Sequence, residues 1–132
     1  AIAATLGALR VRYPGSRLWA IFEPRSNTLR RKVLEKELVS SLAIADEIII
    51  TPIFKPEAVP EHERLTTKSV VEGIRRAGKP AREIADADAI VETVAPELRN
   101  GDVVAILSNG GFGGIYEKLP RRLEEVRGVQ RA

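Results

Sequence analysis

The apolar positions of this chain change their period several times, and each change predicts a new element of structure. Apolar residues first recur at helical spacing, at Ile2, Leu6, Leu9 and Tyr13. Pro14 and Gly15 end that segment, and the continuous apolar run from Leu18 to Phe22 has the length of a buried strand. The front of the chain is therefore expected to fold as a helix, a turn and a strand.

A second amphipathic pattern follows a polar stretch. One of its faces is apolar, at Leu34, Leu38, Leu42 and Ala45. Ser26 and Asn27 are residue types that commonly cap a helix N-terminus, so a helix of about 16 residues fits this pattern. The segment 47–51 is then β-branched and apolar on both faces, which is typical of an inner parallel strand covered by helices.

The next part of the chain repeats this alternation with shorter elements. A helix capped by Thr66 or Thr67 leads to a short strand over residues 82–85. A further helix is entered at Asp86 or Asp88, both of which suit a helix N-terminus.

The clearest buried strand is predicted at Val103–Leu107, directly before a glycine-rich loop over residues 108–114. Helical spacing resumes at Ile115, and Pro120 is expected to interrupt this last helix or to begin a second piece of it. The alternation of strand and helix predicts right-handed crossovers and a mostly parallel sheet with helices on both faces. The expected fold class is α/β with a Rossmann-like topology, in a single domain over residues 1–132.

Ligands of such sheets bind at the carboxyl ends of the strands, so the loops after Phe22, Thr51 and Leu107 are the candidates for a site. Four glycines around Phe112 would let the backbone approach a ligand closely. The loop does not complete the GxGxxG pattern, because Tyr116 takes the place of the third glycine. It is either a tight strand-to-helix turn or a contact for substrate or phosphate.

Two cationic side chains follow the other candidate strands. Arg25 lies beside three hydrogen-bonding side chains at a predicted helix N-terminus, an arrangement that suits a carboxylate. Helix capping alone also accounts for Ser26 or Asn27. Lys55 is either a contact for an anionic substrate group or an ordinary surface lysine.

Composition narrows the classes of function. The 132 residues are 44% hydrophobic, which is enough for one core, and no apolar run approaches the length of a membrane span. The net charge of +3 is spread over three separate basic stretches with Glu nearby, so we expect no nucleic-acid partner. No basic segment precedes an apolar stretch in the pattern of a secretory signal, so we expect a cytoplasmic protein. The chain lacks Met and begins inside a helical pattern, so we expect it to be part of a larger protein.

The residues needed for several kinds of catalysis are missing. The chain has no Cys and a single His62, which argues against a metal site and against a Ser-His-Asp triad. It also lacks the phosphate-binding pattern GxxxxGK[ST]. We therefore expect these residues alone to hold no catalytic group, metal or cofactor, and to be inactive by themselves.

Three segments together resemble the C-terminal domain of the Mur ligase family: Phe22 to Arg31, Asp46 to Ile50 and Ile106 to Ile115. The resemblance spans essentially the whole chain and is strongest to the members that accept a peptide, the UDP-N-acetylmuramate:L-alanyl-γ-D-glutamyl-meso-diaminopimelate ligases of peptidoglycan recycling. It implies a three-domain enzyme that binds UDP-N-acetylmuramate in its first domain, ATP and Mg²⁺ mainly in its second, and the peptide substrate at its third. It further implies a reaction through an acyl phosphate.

By position, the resemblance implies that Arg25, Ser26, Asn27 and Thr28 meet the incoming peptide, with Arg25 on a carboxylate. The glycine loop would line the same cleft, with Ser108, Asn109, Gly110, Gly111, Phe112, Gly113 and Gly114. In relatives that add free L-alanine, the first segment looks like Pro-His-Arg-Tyr-Thr-Arg. The different segment in this chain favours a peptide as the substrate. The alternatives are the C-terminal domain of a UDP-N-acetylmuramate L-alanine ligase and a non-catalytic Rossmann-like binding module.

Overall fold

The computed structural model describes residues 2–24, 34–52, 66–108 and 110–127. The helices within these ranges are α1 (Ile2–Arg12), α2 (Glu35–Leu42), α3 (Thr67–Arg76), α4 (Ala87–Val94) and α5 (Ile115–Arg127). The strands are β1 (Leu18–Phe22), β2 (Glu47–Ile50), β3 (Ala81–Glu83) and β4 (Val103–Leu107). Short 3₁₀ turns at Ala95–Glu97 and Phe112–Gly114 extend the end of α4 and precede α5.

The four strands form one parallel sheet in the order β3-β2-β1-β4. The predicted α/β class and the inner position of β2 are therefore confirmed. The strand predicted at Val103–Leu107 is confirmed, but the expectation that it is buried is wrong for most of its length, because only Ala105 of its five residues is buried. In the part of the chain that the structure describes, β4 is an edge strand, whereas all five residues of β1 are buried at the centre of the sheet.

The sheet separates two apolar layers. Because strand side chains alternate, Ala20 and Phe22 of β1 face one layer, while Trp19 and Ile21 face the other. The first layer is closed by the helices α1, α2 and α3, whose buried residues include Leu6, Leu38, Leu42, Val70 and Ile74. The second is closed by α4 and α5, with Ile90, Val94, Ile115 and Leu119. The predicted covering of both faces is confirmed.

Two elements differ from their predicted bounds. The helix α2 covers Glu35–Leu42, and the chain turns after Leu42, before the predicted face ends at Ala45; the beginning of the predicted helix of about 16 residues lies outside the described residues. That turn carries Asp46 to the start of β1, where its carboxylate accepts a hydrogen bond from the Leu18 N–H at 2.8 Å. The short strand is Ala81–Glu83, which starts one residue and ends two residues earlier than predicted.

The last helix is continuous, so the predicted interruption at Pro120 is wrong. Proline removes one backbone donor from a helix. Pro120 lies on the exposed side of the helix, and the neighbouring Ile115 and Leu119 are buried in the second apolar layer. Burial of the apolar face therefore outweighs the single missing hydrogen bond.

Two predicted helix caps are confirmed by their hydrogen bonds. The Thr66 hydroxyl accepts from the Ser69 N–H at 3.3 Å at the start of α3, and the Asp86 carboxylate accepts from the Ala89 N–H at 2.9 Å at the start of α4. None of the helices in the described ranges is both long enough and apolar enough to cross a membrane.

Candidate functional site

The direction of the chain connections changes between β1 and β4, which are neighbours in the sheet. The helix that follows β1, α2, packs on the first layer, whereas the helix that follows β4, α5, packs on the second. The loops after the two strands therefore diverge from the carboxyl edge to opposite faces. In an open α/β sheet this switch point leaves a crevice in which ligands bind.

A pair of contacts fixes the two loops at the base of this crevice. The Glu23 N–H donates to the Leu107 carbonyl at 3.0 Å, which continues the β1–β4 pairing by one residue. The Ser108 hydroxyl then donates to Glu23 Oε1 at 2.6 Å, a distance typical of a hydrogen bond to a carboxylate. The Gly110 N–H donates in turn to Ser108 Oγ at 3.0 Å. The expectation that these two loops share one edge is confirmed.

The root of the third candidate loop lies on the other side of β1. The Thr51 N–H donates to the Phe22 carbonyl at 3.1 Å, so Thr51 continues the β1–β2 pairing. Thr51 is 5% exposed, and its hydroxyl oxygen has no hydrogen-bond partner within the described part of the chain. Thr51 is thus a buried polar group at the same carboxyl edge.

The glycine loop has an unusual backbone that its sequence explains in part. Phe112, Gly113 and Gly114 have successive φ values of 47°, 56° and 77°, all in the left-handed region. Glycine adopts this region without steric cost, but Phe112 does not. The Phe112 side chain is 1% exposed and packs in the layer between the sheet and α4–α5. Core packing therefore holds its backbone in the strained conformation.

This burial corrects the place of Phe112 in the predicted cleft. Its side chain anchors the loop from below and does not line an open crevice. The loop is also tied to α4, because a Cβ on Gly113 would lie 2.9 Å from Ala87 Cβ. Gly111 is exposed, and a Cβ added at this position would have no atom within 4 Å. The loop thus has a fixed inner side and an open outer side.

The structure describes six of the predicted site residues: Ser108, Gly110, Gly111, Phe112, Gly113 and Gly114. It brings them together at the end of β4, beside Glu23. The others lie outside the described residues: Arg25, Ser26, Asn27, Thr28, Lys55 and Asn109. In the sequence, Arg25 follows directly on the buried Pro24, two residues after Glu23, which contacts Ser108.

Sequence reasoning did not single out Glu23 or Thr51, which the fold places at this edge. Each is the first polar residue after a fully apolar strand segment, and Ser108 has the same position after β4. That shared position is the signal in the sequence. It becomes informative only when the strand order makes the three strands neighbours.

A cluster of hydrogen bonds and an ion pair lies around Asp102 at the opposite, amino edge of the sheet. Asp102 precedes β4 and accepts hydrogen bonds from Arg17 at 2.7 Å and from the Trp19 indole at 3.0 Å. Burial raises the pKa of Asp102, but the hydrogen bonds from Arg17, the Arg99 N–H and Trp19 outweigh it, so that its pKa is lowered overall. Among the described residues no group of three or more His, Cys, Asp or Glu is arranged to hold a metal.

The parallel sheet, its switch point and the paired loops can be compared with known proteins. Residues 1–110 match the family described as "Mur ligase, glutamate ligase domain". The chain belongs to the Mur ligase family. It is a Mur ligase C-terminal domain in fold, as its resemblance implied.

Three relatives of this Mur ligase domain illustrate the range of the family. The chain is 37% identical over 120 residues to the UDP-N-acetylmuramate–L-alanyl-gamma-D-glutamyl-meso-2,6-diaminoheptandioate ligase of Escherichia coli K12, covering 90% of this chain and 24% of that protein. It is 37% identical over 126 residues to the UDP-N-acetylmuramate–L-alanine ligase of Caldanaerobacter subterraneus subsp. tengcongensis, covering 94% and 26%. The crystal structure of a murein peptide ligase from Psychrobacter arcticus 273-4 superposes with a TM-score of 0.73 at 29% identity, covering 92% and 25%.

The Mur ligase chain thus spans about a quarter of the length of the curated relatives it matches. The matched quarter contains the sheet and the carboxyl edge described above.

Proposed function

We propose that this chain is the C-terminal domain of a longer ATP-dependent ligase that joins L-alanyl-γ-D-glutamyl-meso-diaminopimelate to UDP-N-acetylmuramate. The observation that carries the proposal is the Ser108–Glu23 contact at the switch point. It fixes the beginnings of the two loops in which the resemblance lies, and it does so at the edge where α/β sheets bind ligands.

The proposed task of this domain is to hold the incoming peptide. Arg25 follows Glu23 by two residues in the sequence, and we assign its guanidinium to a peptide carboxylate, with Ser26, Asn27 and Thr28 as neutral hydrogen-bonding groups. The open side of the glycine loop, at Gly110 and Gly111, offers backbone groups to the peptide chain. Holding the amine close to its target makes the bond-forming step effectively unimolecular.

The phosphate chemistry of the proposed reaction belongs to the rest of the longer protein. In the proposed reaction the muramoyl carboxylate would take the γ-phosphoryl group of ATP, with ADP leaving, to give an acyl phosphate. We assign the binding of ATP and Mg²⁺ mainly to the preceding domains, because this chain lacks the GxxxxGK[ST] pattern. The peptide amine then attacks, and phosphate leaves. We propose the cytoplasm as the compartment, since the reaction consumes ATP.

A ligation assay with the full-length protein tests the proposal. UDP-N-acetylmuramate, ATP and Mg²⁺ are supplied with either the tripeptide or free L-alanine, and the product is identified by its mass. We expect ligation of the tripeptide and much weaker ligation of L-alanine. A preference for L-alanine would support the alternative ligase, whose relative is also 37% identical to this chain. ATP-independent peptide binding without ligation would support a binding module.

A pair of arginine variants connects the activity to this chain. The Arg25→Ala variant loses the proposed carboxylate contact and should raise the KM for the tripeptide by about tenfold or more, with the KM for ATP unchanged. Arg121→Ala removes an equal charge from an exposed position of α5 and serves as the control. Equal peptide KM values for the two variants would remove Arg25 from the site.

A further inference from the structure

The carboxyl edge carries three polar side chains in one row. The register pairs of the sheet end at Phe22–Ile50 and Phe22–Leu107, so Thr51, Glu23 and Ser108 each stand one residue beyond them. Alternation along the strands places all three on the face of Trp19 and Ile21, toward the layer that contains α5. We call Thr51, Glu23 and Ser108 the edge row.

The three members of the edge row are not equally satisfied. Ser108 donates to Glu23 and accepts from the Gly110 N–H. Thr51 uses its backbone N–H in the sheet, but its buried hydroxyl oxygen lacks a partner among the described residues. A protein with a buried hydroxyl that makes no hydrogen bond is less stable than the same protein with an apolar group of that shape in its place. An isosteric valine would avoid that cost, so the hydroxyl calls for an explanation beyond folding.

We propose that Thr51 is a positioning residue for the incoming peptide, and that its hydroxyl accepts a hydrogen bond from a peptide N–H group in the crevice beside the Ser108–Glu23 pair. This inference rests on the proposed ligase function. The inference adds the loop after β2, which begins at Thr51, to the loops after β1 and β4 that hold the proposed peptide contacts.

The chemistry of the edge row selects an N–H donor. Its central member, Glu23, is a carboxylate, which makes the local potential negative and favours N–H or ammonium groups over a substrate carboxylate. The Thr51 oxygen can accept from such a group while its own hydrogen turns toward a nearby acceptor. A peptide substrate supplies N–H groups both in its backbone and in its amines, so a bound peptide would give the hydroxyl a partner that the described residues do not supply.

The test uses the full-length protein with Thr51→Val, which removes the hydroxyl at constant shape, and Thr51→Ser, which keeps it. We expect Thr51→Val to raise the KM for the tripeptide by about tenfold, the effect of one lost hydrogen bond, while the KM values for ATP and UDP-N-acetylmuramate stay unchanged. Thr51→Ser should remain within about threefold of the wild type. In the absence of peptide, the Thr51→Val variant should unfold at an equal or higher temperature than the wild type, because it removes a buried hydroxyl that has no partner among the described residues.

The unfolding temperature separates a positioning role from a structural one. A structural hydroxyl predicts a lower unfolding temperature for Thr51→Val and equal effects on all three substrates, and that pattern would overturn the inference. An unchanged peptide KM in Thr51→Val would overturn it as well. Failure of the wild-type protein to ligate the tripeptide would overturn the proposed function first, so the two failures are distinguishable.

The dipeptide L-alanyl-γ-D-glutamate identifies which N–H group the hydroxyl meets. A tenfold Thr51→Val effect on both peptides supports a contact to the first two residues. An effect on the tripeptide alone supports a contact to the third residue. The same effect with free L-alanine as well supports a contact to the amine of the first residue. No effect with either peptide contradicts the inference.

Discussion

Asp102 accepts a hydrogen bond from the indole N–H of Trp19 at 3.0 Å, across 83 residues of sequence. The same carboxylate oxygen accepts from Arg17, whose guanidinium lies 4.9 Å from the centre of the Trp19 ring. Trp19 is fully buried at the centre of the sheet, so its N–H needs a partner from the protein. Asp102 therefore fixes the start of β4 against β1 at the edge opposite the proposed site.

Asp102→Asn should lower the free energy of unfolding by about 1–3 kcal/mol, because the hydrogen bonds to a buried charge are replaced by bonds to a neutral amide. Chemical denaturation monitored by Trp19 fluorescence measures the change. The control is Asp88→Asn, whose carboxylate is exposed and pairs with Lys118; it should change the free energy by less than about 0.5 kcal/mol. Equal effects would mean that Asp102 is an ordinary surface acid.

The protein should lose stability in acid below about pH 4, close to the ordinary pKa of 3.8 for Asp46 and Asp102. Burial raises the pKa of each carboxylate, but the hydrogen bonds from neighbouring donors lower it by a larger amount, so the net pKa is lowered. A folded-state pKa below that of the unfolded chain stabilises the protein above the unfolded value, and this contribution is lost as the pH falls through the folded value. Thermal unfolding over this range measures the loss, and Asp102→Asn should make it shallower.

Gly113→Ala should destabilise the protein by about 1–3 kcal/mol, because alanine disfavours a φ of 56° and its Cβ would lie 2.9 Å from Ala87 Cβ. Gly111→Ala is the matched control in the same loop. Gly111 has a φ of −75° and open space around a built Cβ, so its variant should unfold within about 0.5 kcal/mol of the wild type. A reversed order of the two variants would contradict the described loop conformation.

Ser108→Ala should lower the kcat/KM for the tripeptide by about ten- to a hundredfold in the full-length protein, because the Glu23 carboxylate loses a donor and the Gly110 N–H loses an acceptor. The control is Ser40→Ala, which removes an exposed hydroxyl bonded to the Lys36 carbonyl on α2. Steady-state ligation rates measure the difference. Retained peptide kinetics in Ser108→Ala would show that the Ser108–Glu23 contact does not position the substrate.

Local physics made several elements predictable from the sequence. Leu18 to Phe22 is a continuous apolar run of strand length, which is typical of a buried strand in a sheet covered on both faces. Thr66 and Asp86 cap their helices because their side-chain oxygens accept from N–H groups three residues ahead. These preferences depend on residues within a few positions of one another.

Other features depend on contacts that the sequence does not display. The apolar content of Val103–Leu107 predicts a strand but not its place at the edge, because strand order is a property of the whole sheet. Pro120 predicts an interruption that burial of Ile115 and Leu119 overrides. The glycines predict a loop of left-handed backbone, but only core packing puts Phe112 in that conformation as well.

The sequence by itself determined the alternating α/β elements, their caps and the family, because periodicity, capping and the loop motifs are local patterns. Only the tertiary structure decided that Glu23, Thr51 and Ser108 share one edge. Glu23 and Ser108 are 85 residues apart and meet because parallel pairing sets β4 beside β1, with the carboxyl ends of both strands in register. Long-range pairing, and not local preference, therefore builds the base of the proposed site.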